Sequence, residues 1–158
     1  MASASDRIEK SVVLPAPRSR VWRALTDVRE FNQWFGVALT APFAPGAVVS
    51  GQITSKGYEH VLMTAWVETI APEHTFSFRW HPNATDASVD YSADATTLVT
   101  FTLAEVAEGT RLVITETGFD AVPASRRLQA FEGNSRGWEG QMKRIAKHLG
   151  EGAVASPS

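Results

Sequence analysis

The sequence contains no cysteine. That excludes disulfides, thiolate zinc sites, iron–sulfur clusters and thiol nucleophiles. It has no apolar run approaching the ~20 residues that cross a bilayer as a helix. Its opening residues, Met-Ala-Ser-Ala-Ser-Asp-Arg, lack the apolar stretch of a secretory signal, so a cytoplasmic protein is expected. Net charge is also scarce: 15 basic side chains against 17 acidic ones leave −2. Such a chain has no strong field to gather nucleic acid or anionic lipid. No P-loop, dinucleotide fingerprint or Gly-x-Ser-x-Gly elbow is present, so nucleotide-dependent and covalent chemistries lack a motif and no cofactor is expected. The four histidines, His60, His74, His81 and His148, form no closely spaced pair, and no metal site is expected.

Large rings are abundant. Five Trp and eight Phe stand against two Tyr in 158 residues. That length suits one domain of about 150 residues. Residues 1–6 are small and polar and read as a flexible start. Residues 7–149 read as a single domain, and residues 150–158 as a disordered tail.

Punctuation between those ends is regular. Residues 7–14 alternate as a strand, stopped by Pro15 and Pro17. Val21, Trp22, Leu25 and Val28, then Phe31, Trp34 and Phe35, take helical spacing, with Asp27 placed to cap the second piece. A broken helix pair over 17–34 follows. Strands are expected over 37–40, 47–54, 58–70, 74–81, 96–103 and 111–117, separated by Gly and Pro turns. Phe76, Phe78 and Trp80 alternate with Ser77, Arg79 and His81, which marks one apolar face. The polar stretch from Pro82 to Ala95 reads as a loop. It carries several Asp, but lacks the Gly and closing Glu of a calcium loop. Leu128, Phe131, Trp138, Met142, Ile145 and Leu149 mark one stripe of a long final helix, interrupted by Gly133, Gly137 and Gly140. Its other face is basic, with the ordinary role of keeping a helix solvated.

Short turns between successive strands require antiparallel pairing, and such a sheet needs a cover on one face. The last helix is long enough to supply it. The predicted class is α+β: a curved antiparallel sheet of six or seven strands wrapped around a long C-terminal helix, with two short helices after the first strand. A bent sheet gripping a helix can leave a hollow between them.

The run from Val13 to Ala24, then Leu25-Thr26-Asp27 and Trp34-Phe35-Gly36, resembles the opening of the prokaryotic homologues of the heat-shock-protein-90 ATPase activator. These AHSA-like proteins lie within the START/SRPBCC helix-grip superfamily, which also holds polyketide cyclases. Residues 67–73, 76–80 and 109–119 and the pair Gly137-Trp138 resemble further segments in the same order. The Pro45-Gly46-Ala47 turn departs from the family, which often has a second Gly there. The resemblance covers about residues 8–149 and implies the helix-grip fold and its cavity, not a reaction.

Trp34, Phe43, Phe78, Trp80, Phe101, Trp138 and Met142 are the residues expected to line that cavity, with His60, Thr100 and Glu116 as polar groups orienting a ligand. His60 shares the parity of Leu62 and Trp66 and is expected to face inward. His81 shares that of Arg79 and is expected to face solvent. No catalytic residue is assigned. The first functional reading is a protein that binds a small apolar or aromatic ligand. The second is a cofactor-free enzyme of the polyketide-cyclase type, in which His60 with Glu68 or Glu116 would move a proton. The third is a co-chaperone for a heat-shock ATPase. It ranks last, because the eukaryotic activators resembled carry an additional docking domain for which this chain has no room. The oligomeric state is open between monomer and homodimer.

Overall fold

The computed structural model describes residues 7–82, 84–85, 89–91 and 93–155, the last five as backbone only. The expected flexible start, 1–6, lies outside the described residues.

Strand β1 (Arg7–Leu14) buries Ile8 and Leu14 and pairs antiparallel with a strand late in the chain, from Arg7 opposite Thr117 to Leu14 opposite Thr110. Pro17 then opens α1 (Arg18–Thr26), and Asp27 separates it from α2 (Val28–Phe35). The Asp27 side chain accepts from the Arg29 backbone N–H at 2.9 Å, the cap its position predicts. Gly36 closes α2 with φ +86°, a left-handed conformation that favours glycine.

Five more strands follow: β2 (Val48–Gln52), β3 (Leu62–Ala71), β4 (Thr75–Trp80), β5 (Thr97–Val106) and β6 (Gly109–Thr117). A short 3-10 turn (Phe119–Ala121) leads into α3 (Ala124–Ala155). The six strands lie in the order β1-β6-β5-β4-β3-β2, with every neighbouring pair antiparallel. The β3–β4 register shifts between Val67 and Thr69, an irregularity of the kind that bends and twists a strand.

Three expectations need correction. The strand predicted over 37–40 forms only a single bridge, Val37 to Ile53. The strand predicted from residue 58 begins at Leu62, because 55–61 are taken up by consecutive turns. The final helix continues to Ala155, past the expected start of the tail at 150. Residues 156–158 lie outside the described residues.

The sheet and the three helices share one core. Trp138, Ile145 and Leu149 of α3 are buried as the stripe requires, but Leu128 at its start is 62% exposed. Ala130 is buried there instead, and Phe131 packs edge-on against Phe119 at 5.3 Å. Among the described residues no helix is long and apolar enough to cross a membrane.

Candidate functional site

Rings fill much of the space between α3 and the sheet. Phe31 stacks on Phe35 (4.8 Å between centroids) and meets Trp34 edge-on at 5.0 Å. The Trp34 indole N–H donates to the Ala24 carbonyl at 2.8 Å. Phe43 sits 5.3 Å from Phe31 and 4.9 Å from Phe76, and Phe76 stacks on Phe101. Trp34, Phe43, Phe78 and Phe101, expected to line a hollow, therefore belong to the packed core or lie against it. Met142 packs partly buried on the same core. Thr100 alternates with the buried Val99 and Phe101 and pairs with Ser77, so it stands on the opposite face of the sheet.

Glu116 extends the inward parity of Leu112 and Ile114 and is fully buried. Its carboxylate is surrounded by donors from three elements. Trp80 Nε1 (2.8 Å) and Thr97 Oγ1 (2.5 Å) donate to Oε2, and Trp138 Nε1 (2.8 Å) donates to Oε1. Asn134 Nδ2 reaches both oxygens, at 3.1 and 3.0 Å. The two indoles stack at 5.6 Å, each donating to one carboxylate oxygen. Burial pushes this carboxyl above its ordinary 4.5, and the donors offset part of that rise.

Beyond this clamp the interior opens into a cavity of about 810 Å³. Phe35, Trp80, Gly133, Asn134, Gly137 and Gln141 form its helix side and floor. Ile53, Met63, Leu62 and Trp66 bring apolar surface from the β2–β3 end of the sheet, and Ala84, Thr85, Val89, Asp90 and Tyr91 close another wall. A recess of about 80 Å³ between Phe35, Trp80 and Trp138 adjoins it. The hollow thus lies at one end of the grip rather than along its whole length. Tyr58, Leu62 and Val89, each more than two-fifths exposed, stand at its border. The glycines of α3 explain part of the room: a Cβ at Gly137 would meet nothing within 4 Å.

Of the ten sequence-predicted site residues, Trp80 and His60 line the main cavity, and Trp138 lines the recess. Glu116 sits behind Trp80 and Asn134. Both histidine expectations change. His60 precedes β3, in the turns, and is exposed at the rim, where Nε2 bonds the Thr85 carbonyl at 2.9 Å. The core-facing parity of β3 is that of Met63, Ala65 and Val67, not of Leu62 and Trp66. His81 is half-buried rather than solvent-facing: β4 ends at Trp80, so the alternation no longer governs it. It meets Trp66 edge-on at 5.4 Å, and Nε2 bonds the Asp94 carbonyl at 3.1 Å. Glu68 instead pairs with Arg79 at 2.6 Å on an exposed surface.

Arg126 of α3 ties the loop to the helix. It bonds Asp94 Oδ2 (3.0 Å) and the Pro82 carbonyl (3.2 Å), and lies 4.8 Å over the Tyr91 ring. Phe35, Trp66, His81, Asn134 and Gln141 were not anticipated as cavity residues. The glycine cluster in α3 was the one signal that could have pointed to the last two. Among the described residues no group of three His, Asp or Glu is placed to hold a metal.

Comparison with known proteins places these features in context. The family model of activator of Hsp90 ATPase homolog 1-like proteins matches residues 15–150. No curated protein matches the chain. A solved protein of the dynemicin biosynthetic locus is 28% identical with a TM-score of 0.71. The alignment covers 93% of this chain and 48% of that one, so the chain spans about half of that relative's length. A Mesorhizobium loti protein is 24% identical (TM-score 0.72), covering 92% of this chain and 97% of its own. The Aha1 dimer of Colwellia psychrerythraea shares the fold at 15% identity (TM-score 0.68), covering 90% of this chain and 95% of that one.

Proposed function

We propose that this chain, which belongs to the family of activator of Hsp90 ATPase homolog 1-like proteins, is a cytoplasmic protein that binds a small apolar or aromatic molecule. The ligand would sit in the cavity between α3, the β2–β3 end of the sheet and the loop after β4. One observation carries the reading: a tightly ring-packed core adjoins about 810 Å³ of unfilled, largely apolar space. That volume lies within the roughly 300–1,000 Å³ typical of small-molecule sites. Burial of ligand surface would drive binding at roughly 25 cal/mol per Å² of apolar area. Phe35, Trp66 and Trp80 offer ring faces and edges, and the polar groups at the rim fix orientation.

A thermal-shift screen with lipophilic compounds, backed by native mass spectrometry of the purified protein, tests this. A ligand at about 100 times its Kd adds about 2.7 kcal/mol to stability, which raises Tm by several degrees. Gly137→Leu, which extends into open space, should abolish the shift without unfolding the protein. A broad panel that leaves Tm unmoved, with no co-purifying mass, would remove the reading. The same spectra report whether the chain forms a homodimer, the assembly named for the Colwellia relative.

A second reading, a cofactor-free enzyme of the polyketide-cyclase type, draws on Glu116: a buried carboxyl with a raised pKa directly behind the cavity wall. The co-chaperone reading rests on the family description alone, and recovery of a chaperone at stoichiometric level from lysate would promote it.

A further inference from the structure

Reading the cavity as a ligand site leaves open which polar group the ligand carries. Most side-chain nitrogen donors around the cavity are engaged by the protein itself. Trp80 Nε1 and Asn134 Nδ2 donate to Glu116, and Gln141 Nε2 donates to the Phe35 carbonyl at 3.1 Å. His60 Nε2 and His81 Nε2 face the Thr85 and Asp94 carbonyls. Trp66 differs. It lines the cavity, yet its indole N–H donates to no atom among the described residues. The indoles of Trp34, Trp80 and Trp138 each have a partner at 2.8 Å, as enclosed indoles usually do. The Tyr58 hydroxyl on the cavity border also has none, but Tyr58 is 53% exposed and open to water.

The Trp66 ring is held in place. Its backbone pairs with Val48 on one side and Arg79 on the other, and His81 meets the ring edge-on at 5.4 Å. Trp66 has the parity of β3 that faces away from the core. It therefore borders the cavity beside Thr64, His81 and the loop after β4, apart from the Glu116 clamp. An indole N–H only donates, and unlike a hydroxyl or an amide it cannot turn to offer an acceptor. Without a ligand, water meets that donor. A ligand that displaces the water and offers no acceptor leaves the N–H unsatisfied, whereas one that brings an oxygen keeps the bond.

We propose that the cavity selects ring compounds bearing a neutral carbonyl oxygen, an aromatic ketone or quinone, with the Trp66 indole N–H as the specificity-determining donor. This rests on the cavity being a ligand site and adds the group the ligand carries. Histidines aside, the charged residue among those lining the cavity is Asp90, whose sign disfavours an anion. Arg144 argues the other way, since it reaches Ser55 on the rim at 3.5 Å. The test therefore includes an anion.

The probes are 2-acetylnaphthalene, its hydrocarbon isostere 2-isopropylnaphthalene, and 2-naphthoate, titrated calorimetrically into the intact protein and into Trp66→Phe. The two neutral probes partition from water differently, so the ratio of their affinities is compared between the proteins. Trp66→Phe should cost the ketone about tenfold relative to the hydrocarbon. In wild type the assigned indole N–H resonance of Trp66 should move downfield with the ketone and not with the isostere, a readout that stands even if the variant fails to fold. An unchanged affinity ratio, or a Trp66 resonance indifferent to the ketone, would overturn the donor assignment and leave the cavity reading standing. Tightest binding by 2-naphthoate, lost in Arg144→Gln, would overturn it in favour of an anion held at the rim. Binding of none of the three would remove the cavity reading and this inference together.

Discussion

Glu116 shows how one side chain fixes a wall. It is an acceptor-only group when ionised, and each of its partners is a donor: two indoles, a hydroxyl and an amide. The ionised form is thus satisfied at every contact, although burial alone opposes it. Glu116→Gln keeps the shape but turns one acceptor into an NH₂ that faces other donors. The expected loss is about 2–3 kcal/mol, a fall in Tm of roughly 5–10 °C. Intrinsic tryptophan emission should shift as well, because Trp80 and Trp138 lose the group that aligns them. A variant melting within about a degree of wild type would mean the clamp contributes nothing net. The position was legible in part. Alternation through Leu112 and Ile114 carries straight to Glu116, so its inward orientation could be read. Its donors come from β4, β5 and α3, and no local pattern links residues 80, 97, 134 and 138.

The strands and helices themselves were written in periodicity and punctuation. β1, the helix pair with its Asp27 cap, the β4 alternation and the long α3 follow from residues that act within a few positions of one another. The failures occur where distant backbone decides. Two glycines separate the cases. Gly51 in β2 lies under residue 38, and a Cβ there would come within 2.1 Å of the Ala38 carbonyl oxygen. That close approach accounts for a glycine inside a strand where β-branched residues otherwise predominate. Gly137 in α3 faces open space, so its presence is not required by packing. Gly51→Ala should therefore destabilise by several kcal/mol or prevent folding, since backbone rather than a mobile side chain must move. Gly137→Ala should stabilise by about 0.5–1 kcal/mol, a rise in Tm of roughly 1–4 °C. Thermal melts of the two variants side by side check this. A loss of stability at Gly137→Ala would show that some close contact does occupy that face of the helix.

At the scale of the molecule, the sequence implied a sheet gripping a helix and a hollow between them, but not where the hollow lies. Rings from α2 and the central strands close one part of the space, while the turns at 55–61 and the loop after β4 border the rest. Those loops have no periodicity from which their course could be read. In the helical layer, by contrast, one carboxylate reaches all three helices. Glu30 of α2 pairs with Arg20 and Arg23 of α1, both at 2.7 Å, and with His148 of α3 at 2.9 Å. Burial works to raise its pKa, but hydrogen bonds from His148, Arg20 and Arg23 outweigh it and hold the carboxyl below its ordinary 4.5. The unfolded chain therefore takes up this proton first as pH falls. The stability that Glu30 supplies is complete above that ordinary value and drains away as pH drops through the depressed range. Glu116 acts in the opposite sense. Its raised pKa means that the folded state takes up the proton first, so acidification relieves a cost there. Wild-type pH dependence mixes the two, and the difference between wild type and Glu30→Gln isolates the first. Urea unfolding from roughly pH 3 to pH 7 should show the variant about 1 kcal/mol less stable near neutrality, with the two curves converging in acid. Curves that stay parallel over that range would mean the three-helix junction does not depend on the charge of Glu30.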